Sequence, residues 1–129
     1  MTDLFTYGTL MCDDILSFIL GYLPQHKTGI LKGHRRLAVR GENYPAIISD
    51  PTSAVDGRIY FNLTESDMKL LDNFEGQLYE RRCVTVEFGD HTQLLAETYV
   101  ARPEYKHCLK ESDWDFDDFV RNHKSEYLI

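Results

Sequence analysis

Glu75 is the residue of this chain best placed for acid–base chemistry. It closes the run Leu71-Asp72-Asn73-Phe74-Glu75-Gly76, at the last position of a helix that starts near Thr64. The negative end of the helix dipole disfavours a carboxylate there. Phe74 and Gly76 give it an apolar setting. Both effects raise a carboxyl pKa toward the range of a general acid or base. An isolated residue of this kind is more often a solvated Glu on a helix end, so its neighbours in the fold decide.

A second feature supplies a partner. Tyr7-Gly8-Thr9-Leu10 follows a short β-type run and precedes an apolar helix over Asp13–Leu20. A strand, a glycine turn and a helix start, all within about ten residues, turn backbone N–H groups outward. That is a generic cradle for a carboxylate or a developing oxyanion. Gly8 has no side chain to keep a ligand away from the chain.

The elements that must position these groups follow from patterning. In the Glu75 helix, Thr64 is the N-cap and Asp67 its capping-box partner, with Leu63 and Met68 as a hydrophobic staple. Met68, Leu71 and Phe74 define a core face with Leu70 beside it, and Gly76 is a left-handed stop. In the helix over Asp13–Leu20, Ile15, Leu16, Phe18, Ile19 and Leu20 make a broad buried face, ended by Gly21 and Pro24. Lys27–Leu31 and His34–Val39 read as two strands around Lys32-Gly33. Ala46–Ile48 is a third, Ser49–Ala54 a turn, and Val55–Leu63 a fourth strand with Gly57 as a bulge or close approach. Arg82–Phe88 and Gln93–Ala101 form a hairpin around Gly89-Asp90-His91. A last helix starts at Ser112–Asp115, with Phe116, Phe119 and Val120 inward. The order β-α-β-β-β-β-α-β-β-α implies an α+β fold, a small mixed β-barrel with flanking helices, as a single domain over residues 1–129.

Composition narrows the function classes. The 129 residues are 43% hydrophobic and 27% charged, as in ordinary globular proteins. Eight Tyr, seven Phe and one Trp suit a sheet-rich core. A net charge of −7 without a basic block argues against nucleic acid and anionic membrane surfaces as partners. Three Cys without CxxC spacing read as reduced thiols. No leader-like or bilayer-length apolar segment is apparent, so a cytoplasmic location is expected.

Other constellations are weaker. The acidic run Asp113–Asp118 lacks calcium-loop spacing and reads as a solvated helix start. Five His residues are scattered, and His107-Cys108 has no oriented base. No serine sits in a nucleophile elbow, and no glycine-rich phosphate loop occurs. Of the rival carboxylates, Glu80 sits beside Arg81, and pairing with an Arg would make it a poor base. Glu42 lies in a polar loop.

The residues singled out above resemble the gamma-glutamylcyclotransferase-like family. The matching motifs are Tyr7-Gly8-Thr9-Leu10, Tyr44-Pro45-Ala46, Val55–Tyr60, Leu71-Asp72-Asn73-Phe74-Glu75-Gly76 with Tyr79-Glu80-Arg81, and the Trp114…Phe119 pattern. They span nearly the whole chain and occur in the family's order. The compact length is similar to that of the gamma-glutamylamine cyclotransferase branch. The resemblance implies a barrel with a cavity at its mouth and an intramolecular acyl transfer releasing 5-oxoproline. The family's catalytic carboxylate falls on Glu75 and its substrate loop on Tyr7, Gly8, Thr9 and Leu10, with Tyr44 and Tyr79 in lining segments. It implies a small gamma-glutamyl amine or amino acid as substrate and neither cofactor nor metal. It assigns no oligomeric state. A non-catalytic module that binds a small carboxylate on the same scaffold is the alternative.

Overall fold

The computed structural model describes residues 1–128. Six strands and three helices follow one another along the described residues: β1 (Thr2–Thr6), α1 (Asp13–Leu20), β2 (His26–Val39), β3 (Pro45–Leu63), α2 (Glu65–Glu75), β4 (Tyr79–Glu87), β5 (Gln93–Ala101), β6 (Leu109–Asp113) and α3 (Phe116–Asn122). Short 3-10 turns cover Thr9–Met11, Pro103–Cys108 and Lys124–Tyr127. The sheet runs β3-β1-β5-β4-β2, and β2 pairs again with β3 to close a five-stranded barrel, with β6 added on β2. β1 and β5 are parallel, Leu4 opposite Glu97. The other pairs are antiparallel.

The closing strands correct the segmentation expected from sequence. The four short strands of the middle are two long ones, β2 and β3. Lys32 still pairs with Ala54 and His34 with Ser49, so one residue of β2 faces four of β3. Asp50 Oδ1 accepts hydrogen bonds from the amide and hydroxyl of Thr52, which gathers the extra residues into a bulge. Turn chemistry is therefore present where it was read, but it bends a strand and does not end one. β6 adds an element that the pattern did not reveal.

Alternation along the strands divides the core into two layers. Phe5, Leu31, Ile47, Ile59, Val86 and Val100 fill the barrel interior. Leu4, Tyr60, Leu63 and Tyr99 face outward against Ile15 and Leu16 of α1 and Met68 and Leu71 of α2. Gly57 is where the interior is tightest: a Cβ there would stand 2.2 Å from the Thr6 carbonyl oxygen. It marks a close approach, not a bulge.

Helix boundaries agree with the sequence reading for α1 and α2, and the Thr64–Asp67 capping box is complete. Several side chains differ. Phe18 is 64% exposed, and Leu70, Phe74 and Val120 are also exposed. α1 buries fully only Ile15 and Leu16, because the barrel touches one stripe of it. Gly76 has a positive φ but an extended ψ (79°, −162°), so it redirects the chain into β4 without a left-handed turn.

Candidate active site

The first half of the site is the loop after β1. Its entry is fixed from behind. An Arg36 Nη1 group donates to the Tyr7 carbonyl at 2.8 Å, and the guanidinium lies over the Trp114 ring. The Tyr7 side chain runs into the barrel, where its hydroxyl donates to the Tyr99 carbonyl. Gly8 is required by packing: a Cβ there would lie 2.8 Å from Pro45 Cγ. That differs from the expectation of ligand approach, and the neighbour that excludes a side chain is protein. Beyond Gly8 the chain coils into the 3-10 turn, held by the Met11 and Cys12 amides on the Gly8 and Thr9 carbonyls. The amides of Gly8, Thr9 and Leu10 find no backbone acceptor among the described residues. These donors belong to the 3-10 turn; the N-terminus of α1 begins one turn later.

The second half is the last turn of α2. Glu75 is only partly exposed, and its carboxyl group forms no hydrogen bond within the described residues. Burial pushes its pKa up from 4.5 to about 8, and the Asp72 charge one turn earlier adds to the effect. The apolar setting read from sequence is therefore the larger cause, with Asp72 as a contributor that sequence did not reveal. Asp72 is itself held in place: Tyr99 donates to it at 2.7 Å and Arg81 pairs with it at 2.9 Å. The i, i+3 spacing of Asp72 and Glu75 on one helix face was a readable signal for that coupling.

The two halves meet in one cleft with an inner and an outer chamber. Tyr7, Gly8, Thr9, Leu10 and Glu75 all line the inner chamber, of about 20 Å³, with Pro45, Tyr79 and Tyr99. The outer chamber, about 150 Å³, is bounded by Thr9, Tyr44, Phe74, Glu75, Tyr79 and Tyr127. Thr9, Glu75 and Tyr79 belong to both. The Tyr79 hydroxyl donates to the Pro45 carbonyl at 2.6 Å, which leaves mainly its ring face for a ligand. Burial raises the pKa of Tyr79 and Tyr7 well above the usual phenol range, with the Glu75 charge adding to each, so both stay neutral. All seven residues singled out from sequence thus border the cleft. Arg36, Asp72, Tyr99 and Tyr127 are the contributors that were missed.

The rejected carboxylates lie elsewhere. Glu80 pairs with Arg82 and, at 3.7 Å, with Arg102; the expected neighbour Arg81 instead reaches Asp72 and Glu97. Glu42 is exposed. In the acidic C-terminal run, Asp115 caps α3 through the Asp117 and Asp118 amides. No group of metal-ligating side chains occurs among the described residues.

A family model described as gamma-glutamyl cyclotransferase, AIG2-like matches residues 4–116. The chain belongs to this family. AIG2-like protein D of Arabidopsis thaliana is 33% identical over 130 residues, covering 99% of this chain and 85% of the relative. Another Arabidopsis thaliana protein, solved in solution, superposes with a TM-score of 0.78 at 25% identity, over 98% of this chain and 85% of that one. A solved gamma-glutamyl cyclotransferase superposes at 0.70 with 15% identity, over 78% of this chain and 66% of that one. At that identity the likeness is one of fold. Family membership supports a cyclotransferase-type enzyme in general. No helix among the described residues is long and apolar enough to cross a membrane.

Proposed function

We propose that the chain is a gamma-glutamyl cyclotransferase with Glu75 as its general acid and base. The observation that carries this is a partnerless carboxyl, with a pKa near 8, in the same cleft as the donor-rich first loop. A gamma-glutamyl substrate places its α-carboxylate, or its carbonyl oxygen, on the Gly8–Leu10 amides. Ionised Glu75 takes a proton from the α-ammonium. The freed amine attacks the γ-carbonyl carbon, and a five-membered ring closes. Glu75 then returns the proton to the departing nitrogen as the carbon–nitrogen bond breaks, and the ring nitrogen gives up its extra proton to solvent. The products are 5-oxoproline and a free amine. Nucleophile and electrophile share one molecule, so much of the rate comes from holding a folded substrate conformer. The protein acts on a small soluble substrate inside the cell, needs neither metal nor cofactor, and does so as one domain.

The deciding experiment measures 5-oxoproline release from a panel of gamma-glutamyl amines and amino acids, with wild type beside Glu75→Gln. Release by wild type that collapses in Glu75→Gln is expected. A fully active Glu75→Gln protein overturns the assignment. Tight binding without release favours a binding module instead.

A further inference from the structure

One wall of the outer chamber comes from the 3-10 turn after α3. It is Tyr127, the last residue of the turn Lys124–Tyr127. Asn43 latches this wall through two hydrogen bonds. Asn43 accepts a hydrogen bond from the Tyr127 hydroxyl through its Oδ1 and donates from its Nδ2 to Glu126 at 2.8 Å. The neighbouring residue, Tyr44, also lines the chamber. The Tyr127 ring packs on Phe119 at 5.4 Å and tilts against Phe74 at 6.2 Å. Lys124 pairs with Asp14 at 2.9 Å and ties the same turn to α1. The wall is therefore held by the β2–β3 loop, α1, α2 and α3.

We infer that Tyr127 is a specificity-determining residue that limits the departing amine to a group no larger than a single ring. This rests on the cyclotransferase reading above. The inner chamber is small enough that little beyond a carboxylate-sized group enters it, and it holds the loop amides. Glu75 borders both chambers, so the reacting carbon sits at their junction. Whatever hangs from that carbon extends into the outer chamber. Its volume, about 150 Å³, is of the size that holds a benzene ring in an apolar protein cavity. Its walls are four aromatic rings, Thr9 and Glu75, with no Lys or Arg to meet a second carboxylate.

The test compares kcat/KM for the gamma-glutamyl amides of butylamine and naphthylmethylamine. Wild type should favour the butylamide by about tenfold or more, and Tyr127→Ala should erase most of that ratio. Tyr127→Phe, which keeps the ring, should preserve it. Tyr127→Leu keeps apolar packing on Phe119 while shortening the wall, and should also lower the ratio if Tyr127→Ala does not fold. A ratio within about twofold of wild type in the folded Ala or Leu variant overturns the inference. If wild type releases no 5-oxoproline from either amide or from the panel of gamma-glutamyl compounds, the cyclotransferase reading falls by itself. Calorimetric binding of the two amides, with and without the Tyr127 change in a Glu75→Gln background, then decides the wall: an unchanged affinity order overturns it.

Discussion

The two ends of α2 each carry a buried or half-buried carboxyl, and they treat it in opposite ways. At the first turn, Asp67 accepts from the Thr64 amide at 3.0 Å and from the Tyr22 hydroxyl. Burial alone would raise its pKa, but these hydrogen bonds outweigh it and hold it below the usual value. At the last turn, Glu75 has burial without donors, and its pKa rises. The asymmetry is intrinsic to a helix. The first turn offers unpaired N–H groups to an anion, whereas the last turn offers only carbonyls. An acid at the start becomes structure; an acid at the end stays available for proton transfer.

The sharpest way to break this comparison is to neutralise each acid. Glu75→Gln should keep the fold and lower turnover by about 10²–10⁴. Asp67→Asn should leave turnover close to wild type. Comparable losses in 5-oxoproline release would erase the distinction.

The next effect is on stability against pH. The folded state keeps the Glu75 proton above the pH where the unfolded chain loses it. Between about pH 4.5 and 8 the folded state thus holds more protons, so stability falls as pH rises. At pH 9, Glu75→Gln should be more stable than wild type, by on the order of 4 kcal/mol, with little difference at pH 4. Asp67 has the reverse sign. Its contribution is present above the ordinary Asp range and is lost as pH falls through its lowered pKa. Urea melts across pH check both.

Smaller still is the cap itself. Asp67→Ala removes the carboxylate half of the capping box and the Tyr22 contact while keeping its own amide on the Thr64 hydroxyl, and should cost about 1–2 kcal/mol in the same melts. The smallest effect concerns Asp72. The rising limb of kcat/KM with pH should lie near pH 8 in wild type, and Asp72→Asn should move it to lower pH. An unmoved limb would leave burial as the whole cause.

Much of this was legible in the chain because it is written locally. Capping residues, the α1 and α2 boundaries and the β4–β5 hairpin each depend on neighbours a few positions away. Glu75 and the first loop were legible as separate features and through the family resemblance; their meeting in one cleft depends on barrel closure. What was missed is non-local. Asp50-Pro51 and Lys32-Gly33 carry turn signals, yet two facing strands absorb them as a bulge because pairing continues on both sides. Arg36 reaches Tyr7 across 29 residues and Tyr127 reaches Asn43 across 84, and no periodicity announces such pairs. Phe18 and Val120 look like core by type, but a short helix on a curved barrel covers only one stripe.

One strand lies outside the closed barrel. β6 pairs only with β2 among the described residues, so its outer edge presents unpaired peptide groups to solvent. Lys110, Glu111, Ser112 and Asp113 along that edge are all exposed. A strand arriving from another molecule would have to strip water from three charges to gain a few backbone hydrogen bonds. The free edge of this added strand is thereby guarded against self-association into extended sheets, and an apolar segment placed there would remove the guard.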